Sequence, residues 1–304
     1  MRFAVIGAGG YIAKKHLQAI KDTGNQVIAA VDISDSVGIM DSYFPNARFF
    51  TDIECFEGYL EKEKRNGTGA DYISICTPNY LHDAHIRMAL RLGAHAICEK
   101  PLVIDPCTLD YLSMLEGESG RKIFAIHQLR IGTLARMLKL KYKKGKHKVQ
   151  VNYITRRGDW YKQSWKSDEA KSGGLAMNIG VHVFDLLIWI FGEVEYVRIA
   201  ENTASSMTGT LDLERAHVTW HLSINEFFLP FSVTSKGGYA YRSISVDGEK
   251  YELSNGFTNL HTRMYEGILK GKGLRIKDAR PAIELVEMIR RQHAIYSPRN
   301  VSCG

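Results

Sequence analysis

The sequence predicts two domains of different class. Residues 1–125 read as an α/β domain on a doubly wound parallel sheet, and residues 126–304 as an α+β domain with a large, mostly antiparallel open sheet. Three observations carry this. The N-terminal part alternates short apolar runs with amphipathic segments, the pattern of successive βαβ units. The C-terminal part strings strand-like stretches together with few helices between them. The chain has 304 residues, 45% hydrophobic and 24% charged, enough for two cores of ordinary size.

Each element follows from local pattern. Arg2–Ile6 reads as a buried strand and 11–22 as a helix, with Ile12, His16, Leu17 and Ile20 at helical spacing. Gln26–Val31 is the second strand. Thr51 or Asp52 caps a helix running to about Lys64. Strands are expected over 71–76, 94–98 and 122–126, with a helix over 81–92. Asp105 reads as the cap of a further helix, with Pro106 at its first position, where a missing N–H costs nothing. In the second domain a basic helix covers 129–142 and a strand 148–155. Gly173 and Gly174 precede a long helix, 175–191, stopped by Gly192. Strand-like stretches follow at 196–202, 207–213, 217–224, 231–234 and 244–246, then helices at 257–269 and 279–296.

Composition narrows the function classes. No apolar run approaches the roughly 20 residues that span a bilayer, and the best candidate, 181–191, is interrupted by His182 and Asp185. The first ten residues lead straight into a glycine turn rather than a leader sequence, so a cytoplasmic location is expected. The five cysteines form no CxxC pair, which suggests neither a disulfide framework nor a zinc site, and no metal is expected. The net charge is +7, and no acidic residue lies between Glu118 and Asp159. That interval reads either as a solvated basic face or as a place where Arg130, Arg156 or Arg157 meets an anionic substrate. Charge alone, without a recognised motif, does not point to nucleic acid.

The first motif is Gly7-Ala8-Gly9-Gly10-Tyr11-Ile12, directly after a strand. Gly7 allows a tight turn, and Gly9 lets the backbone approach a pyrophosphate at the N-terminus of a helix. Ile12 stands where a third glycine is usual, and Gly10 and Ala13 supply the room. Asp32 ends the second strand, 25 residues beyond Gly7. An acid there accepts from the adenosine ribose hydroxyls and repels a 2′-phosphate, so the cofactor is read as NAD rather than NADP. This is the dinucleotide-binding, or Rossmann, form of the α/β sheet.

Two further motifs carry chemistry. Cys98-Glu99-Lys100-Pro101 lies at the end of a core strand, where open α/β sheets bind ligands, and places a lysine and a carboxylate there. Asn178 and His182 are four residues apart on an expected helix face, with Asp185 three beyond, placed to orient the imidazole. Hydride removal from an alcohol needs a base for the hydroxyl proton, and a histidine titrating near neutrality suits that task.

These motifs together resemble the Gfo/Idh/MocA oxidoreductase family, across essentially the whole chain. The resemblance implies that Lys100 and His182 act at the reacting hydroxyl, with Asn178 and Asp185 in support. Where the family often has Asp four residues before the histidine, this chain has Asn178, which cannot act as a base. Further segments narrow the likeness: 74–82, with Thr77, Asn79 and His82; 153–161, with Arg156, Arg157, Trp160 and Tyr161; Ser164-Trp165-Lys166; 241–244; and 256–261. With them the chain is similar to the bacterial UDP-N-acetylglucosaminuronate 3-dehydrogenases of surface-polysaccharide synthesis. The cofactor set expected is Gly7, Gly9, Gly10, Tyr11, Ile12, Asp32, Thr77, Asn79, His82, Glu99, Lys100 and Gln128. The substrate set is Lys100, Arg156, Arg157, Tyr161, Trp165, Lys166, Asn178 and His182. The resemblance implies a UDP-sugar substrate, 2-oxoglutarate as an acceptor that returns NADH to NAD⁺, and a homotetramer or homodimer. Two alternatives stay open: a dehydrogenase of another sugar or polyol, and a non-enzymatic NAD sensor.

Overall fold

The computed structural model describes residues 1–35, 38–253 and 259–291. Parts of the expected terminal helices (257–258, 292–296), Gly256 of the last motif and Cys303 lie outside them. By its internal contacts the chain forms two compact units. The first is Met1–Val103, Cys107–Gln128 and Asn259–Ala279; the second holds Ile104–Pro106 and the remainder of the described chain. A single cut near residue 125 does not describe this division, because Asn259–Ala279 returns to the first unit. There the Ala125 N–H donates to the Leu274 carbonyl at 2.9 Å, beyond the end of the sheet.

In the first unit the described strands are β1 (Arg2–Ile6), β2 (Gln26–Val31), β3 (Arg48–Phe50), β4 (Tyr72–Ile75), β5 (His95–Cys98) and β6 (Ile123–Ala125). They form one sheet in the order β3-β2-β1-β4-β5-β6, every pair parallel. The inner strands β1, β4 and β5 are buried along nearly their whole length, as a parallel sheet covered on both faces must be. The strand order reverses between β1 and β4, the switch point at whose carboxyl edge ligands bind. Gly7, Asp32, Thr77, Glu99 and Gln128 all sit at or just past the carboxyl ends of these strands.

Helix ends show where the local signals held. Asp52 accepts from the Cys55 N–H at 2.9 Å and caps Ile53–Arg65, as expected. Asp105 and Pro106 do not start a helix: Ile104–Pro106 belongs to the second unit, so Thr108–Ser119 begins only on the return. Cys55, Cys76 and Cys98 are free thiols.

The second unit carries β7 (His147–Thr155), β8 (Val194–Asn202), β9 (Ser206–Leu213), β10 (Ala216–Ser223), β11 (Ala240–Val246) and β12 (Glu249–Glu252). Their order is β12-β11-β7-β10-β9-β8, antiparallel except for the β7–β10 pair. Alternation buries one face: Val149 and Val151 from β7, and Val218, Trp220 and Leu222 from β10. The Val181–Phe191 helix packs there, Phe184 meeting Trp220 edge-on at 5.3 Å. The Glu169–Phe191 stretch is long and apolar enough to cross a membrane, yet 78% of its apolar window is buried in the protein, as in a core helix.

Three expectations change here. Residues 231–234 form one helical turn after Pro230 rather than a strand, and the exposed Phe231 has no sheet to join. The basic helix 129–142 is a 3₁₀ turn, Gln128–Ile131, and a helix, Thr133–Lys141, divided by Gly132 in an extended conformation. The long helix 175–191 opens with a π-turn, Ala176–Gly180, before Val181–Phe191. Asn178 and His182 therefore do not share one regular α-helix.

Candidate active site

In the first unit the glycine loop is built for close approach. Gly7 has φ +83°, and a Cβ there would lie 2.9 Å from the Cys76 backbone, so only glycine fits the turn. The Gly9 N–H donates to Asp32 Oδ2 at 2.8 Å, and the Ser34 N–H donates to Oδ1 at 3.0 Å. Asp32 thus ties the loop to the end of β2 while each oxygen keeps a lone pair for further donors. Gly10, Tyr11 and Ile12 complete the turn before the helix Ala13–Asp22, with Tyr11 89% exposed. Asn79 is buried in the 3₁₀ turn Asn79–Leu81, and the Thr77 hydroxyl contacts His85 Nδ1 at 3.0 Å. Gln128 is buried with its side-chain carbonyl oxygen lacking a hydrogen-bond partner, a condition a ligand's N–H would relieve. A backbone cradle, a carboxylate at the end of β2 and an orphaned acceptor after β6 fit an NAD-type dinucleotide.

Glu99 and His82, expected among the cofactor residues, turn inward instead. His82 is fully buried, with Nδ1 2.7 Å from the Pro101 carbonyl oxygen and Nε2 2.9 Å from that of Thr77. Burial lowers its pKa, against the pull of both carbonyls. Glu99 Oε1 accepts from His16 Nε2 at 3.0 Å and from His261 Nε2 at 2.9 Å, and Oε2 accepts from the Lys100 N–H at 3.1 Å. Burial pushes the Glu99 carboxyl up, but the two histidines outweigh it and hold it well below its ordinary value. His16 Nδ1 lies 2.6 Å from the Tyr265 hydroxyl, itself 2.7 Å from Ser74 Oγ. No local sequence pattern reveals this chain of buried groups; the one signal is a histidine, His16, on the apolar face of its helix.

In the second unit the predicted substrate residues divide. The Lys166 ammonium lies 4.9 Å from the ring centre of Trp165 and 5.3 Å from that of Trp160; the Arg157 guanidinium is 5.9 Å from the latter. Burial first, and then the Arg157 charge, lower the Lys166 pKa. Tyr161 is buried and accepts from Asn178 Nδ2 at 3.2 Å. Two cations, two indoles and a buried phenol–amide pair thus gather around the Trp160–Gln163 turn. Arg156 is set apart, exposed and 3.4 Å from Glu226. His182 is half-buried in the first turn of Val181–Phe191. Asp185, expected to orient His182, receives both arms of Arg130, at 2.8 and 2.5 Å. Arg130 is thereby bound to the protein's own carboxylate, a pairing across 55 residues that no local pattern announces.

Comparison with known proteins places the chain in a family. Residues 1–127 match the model of the Gfo/Idh/MocA oxidoreductase family, NAD-binding Rossmann fold, and residues 146–294 that of its C-terminal alpha/beta domain. The chain belongs to the Gfo/Idh/MocA oxidoreductase family. Family membership makes it an oxidoreductase with an NAD-binding domain. The WlbA (WbpB) dehydrogenase of Thermus thermophilus, crystallised with NAD and alpha-ketoglutarate, superposes with TM-score 0.93 at 48% identity, covering 95% of this chain and 94% of that one. A second structure of it, with NAD and UDP-GlcNAcA, gives 47% identity over the same shares. WlbA of Bordetella pertussis has the same fold, with TM-score 0.77 and 20% identity over 96% of each chain. Among curated relatives, glucose-6-phosphate 3-dehydrogenase of Bacillus subtilis is 26% identical over 66% of this chain. The match spans 58% of that relative, 54% of the Escherichia coli D-glucoside 3-dehydrogenase and 27% of the Cordyceps militaris oxidoreductase cns1.

Proposed function

We propose that this protein oxidises the 3-hydroxyl of UDP-N-acetylglucosaminuronic acid to the 3-keto sugar nucleotide, as a cytoplasmic step of bacterial surface-polysaccharide synthesis. The observation that carries this is 47% identity over 95% of the chain to a dehydrogenase crystallised with NAD and UDP-GlcNAcA. The gathering of Arg157 and Lys166 over two indoles supports it, since such a substrate brings a diphosphate, a carboxylate and flat faces for stacking. Gly7, Gly9, Asp32 and Gln128 would hold NAD⁺, which when bound supplies the hydride acceptor. His182 takes the hydroxyl proton as the carbonyl forms. Lys100, charged, donates a hydrogen bond to the same oxygen and offsets its developing negative charge. Asn178 has no basic lone pair, so it positions and does not exchange protons. Alpha-ketoglutarate bound to the Thermus protein supports 2-oxoglutarate as the acceptor that renews NAD⁺ here. A homotetramer or homodimer, with no part for nucleic acid, completes the reading.

The test is to mix the protein with NAD⁺ and UDP-N-acetylglucosaminuronic acid, with and without 2-oxoglutarate, and to weigh the sugar. Loss of two hydrogens from the sugar is expected, with more than one turnover only when 2-oxoglutarate is present. An unchanged sugar while NAD binds would sink the proposal and return attention to other sugars and polyols. Lys100→Met should leave NAD⁺ affinity within a few-fold and lower turnover by orders of magnitude; normal turnover would remove Lys100 from the mechanism.

A further inference from the structure

We propose that His16 and His261 are positioning residues for Lys100, acting through the buried Glu99 carboxylate. The inference rests on the reading of Lys100 given above. The tripeptide Glu99-Lys100-Pro101 is braced on both sides by buried imidazoles. Ahead of it, His16 and His261 grip Glu99, which accepts the Lys100 N–H. Behind it, His82 holds the Pro101 carbonyl.

The donors and acceptors of the forward brace close without remainder. Ionised Glu99 can only accept, so His16 Nε2 carries the hydrogen that meets Oε1, where the His261 N–H also arrives. Nδ1 of the neutral ring then accepts from the Tyr265 hydroxyl, whose oxygen accepts from Ser74. His16 is neutral, its pKa lowered chiefly by burial, and the Tyr265 phenol is kept protonated by burial. Two histidines and a carboxylate are also a metal-ligand set. Their atoms, however, stand 2.9 and 3.0 Å apart in hydrogen-bond contact, closer than the roughly 3.3–3.6 Å between ligands of a tetrahedral zinc about 2.0–2.2 Å from each. The arrangement is a hydrogen-bond brace.

An ionised carboxylate this deep in a protein costs more than it returns in stability unless every oxygen is served. What Glu99 secures here is one backbone position, that of the lysine. Misplacing a reacting group by about 1 Å can cost about a hundredfold in rate. His261 lies 162 residues along the chain from Glu99, so a helix late in the chain, Leu260–Leu269, serves a lysine early in it.

The test compares His261→Leu with His261→Gln, whose amide nitrogen falls where the imidazole Nε2 was. Four quantities are read: hydrogen exchange of the Lys100 amide, Tm, NAD⁺ affinity, and kcat and KM with UDP-N-acetylglucosaminuronic acid. His261→Leu should speed exchange at the Lys100 amide and lower kcat, each tenfold or more, with KM nearly unchanged. His261→Gln should restore both. Wild-type exchange and kcat in His261→Leu would overturn the proposal, as would a glutamine variant no better than leucine with losses that follow Tm alone. Should His261→Leu not fold, His261→Asn, whose amide stops one bond short, replaces it. If Lys100→Met keeps full turnover, the role given to Lys100 fails, while the exchange comparison still decides whether the histidines hold its backbone.

Discussion

At the scale of single residues, the two arginines in sequence at 156 and 157 separate in their surroundings. Arg157 shares the Trp160 ring with a half-buried Lys166, whereas Arg156 spends its charge on an exposed Glu226. Charge-assisted bonds to a phosphate or carboxylate are worth about 1.5–3 kcal/mol, and exposed pairs about 0–1 kcal/mol. Arg157→Ala and Lys166→Met should each raise KM for the sugar nucleotide about ten- to a hundredfold, with NAD⁺ affinity unmoved. Arg156→Ala should change KM by less than about fivefold. Steady-state kinetics on the three variants decides it: a larger effect at Arg156 would mean that the anion lies on the other side of the turn. The identity of these side chains was legible in the sequence, because residue type alone declares what can meet an anion. Their grouping was not, since adjacent residues such as Arg156 and Arg157 take their surroundings from different strands and turns.

At the scale of elements, the π-turn Ala176–Gly180 sets where Asn178 enters the second unit, and it depends on Gly180. A Cβ at Gly180 would stand 2.6 Å from Leu222 of β10 and 2.9 Å from Phe184 of the following helix. Gly180→Ala should therefore destabilise the protein by about 1–3 kcal/mol through overpacking. Chemical denaturation measures this, and an unchanged midpoint would mean that the turn gives way freely. The glycine motif, the inner strands and the Asp52 cap were legible because each rests on a local pattern. The π-turn, the edge strands β3 and β12 and the helical turn at Phe231 were not, because each is decided by neighbours distant in sequence. Short edge strands pair on one side only and show little alternation. Phe231–Thr234 has strand-like composition but follows a proline and finds no partner strand.

At the scale of the whole molecule, buried histidines link stability to acidity. Burial lowers the pKa of His16, His82 and His85, that of His85 to about 4. As pH falls, the unfolded chain takes up these protons near the ordinary histidine value of about 6.5, while the folded chain holds out. The stability these groups contribute is complete above about pH 6.5 and is lost as pH drops toward the folded values, at up to about 1.4 kcal/mol per pH unit for each. Calorimetry should show Tm constant from pH 8 to 7 and falling from pH 6 to 5, before most carboxylates titrate. A flat Tm across that range would mean that these imidazoles are charged in the folded protein.

The return of Asn259–Ala279 to the first unit also bears on how the chain is made. A nascent chain that has cleared the ribosome as far as Gln128 has all six strands of its first sheet, but neither His261 nor Tyr265. At about 5–20 residues per second, those groups arrive roughly 7–27 s later. Until then the nascent domain holds Glu99 and His16 without their later partners. The Lys100 segment should thus set only after Tyr265 has emerged, although the residues proposed to hold the nucleotide, Gly7 to Gln128, are made earlier.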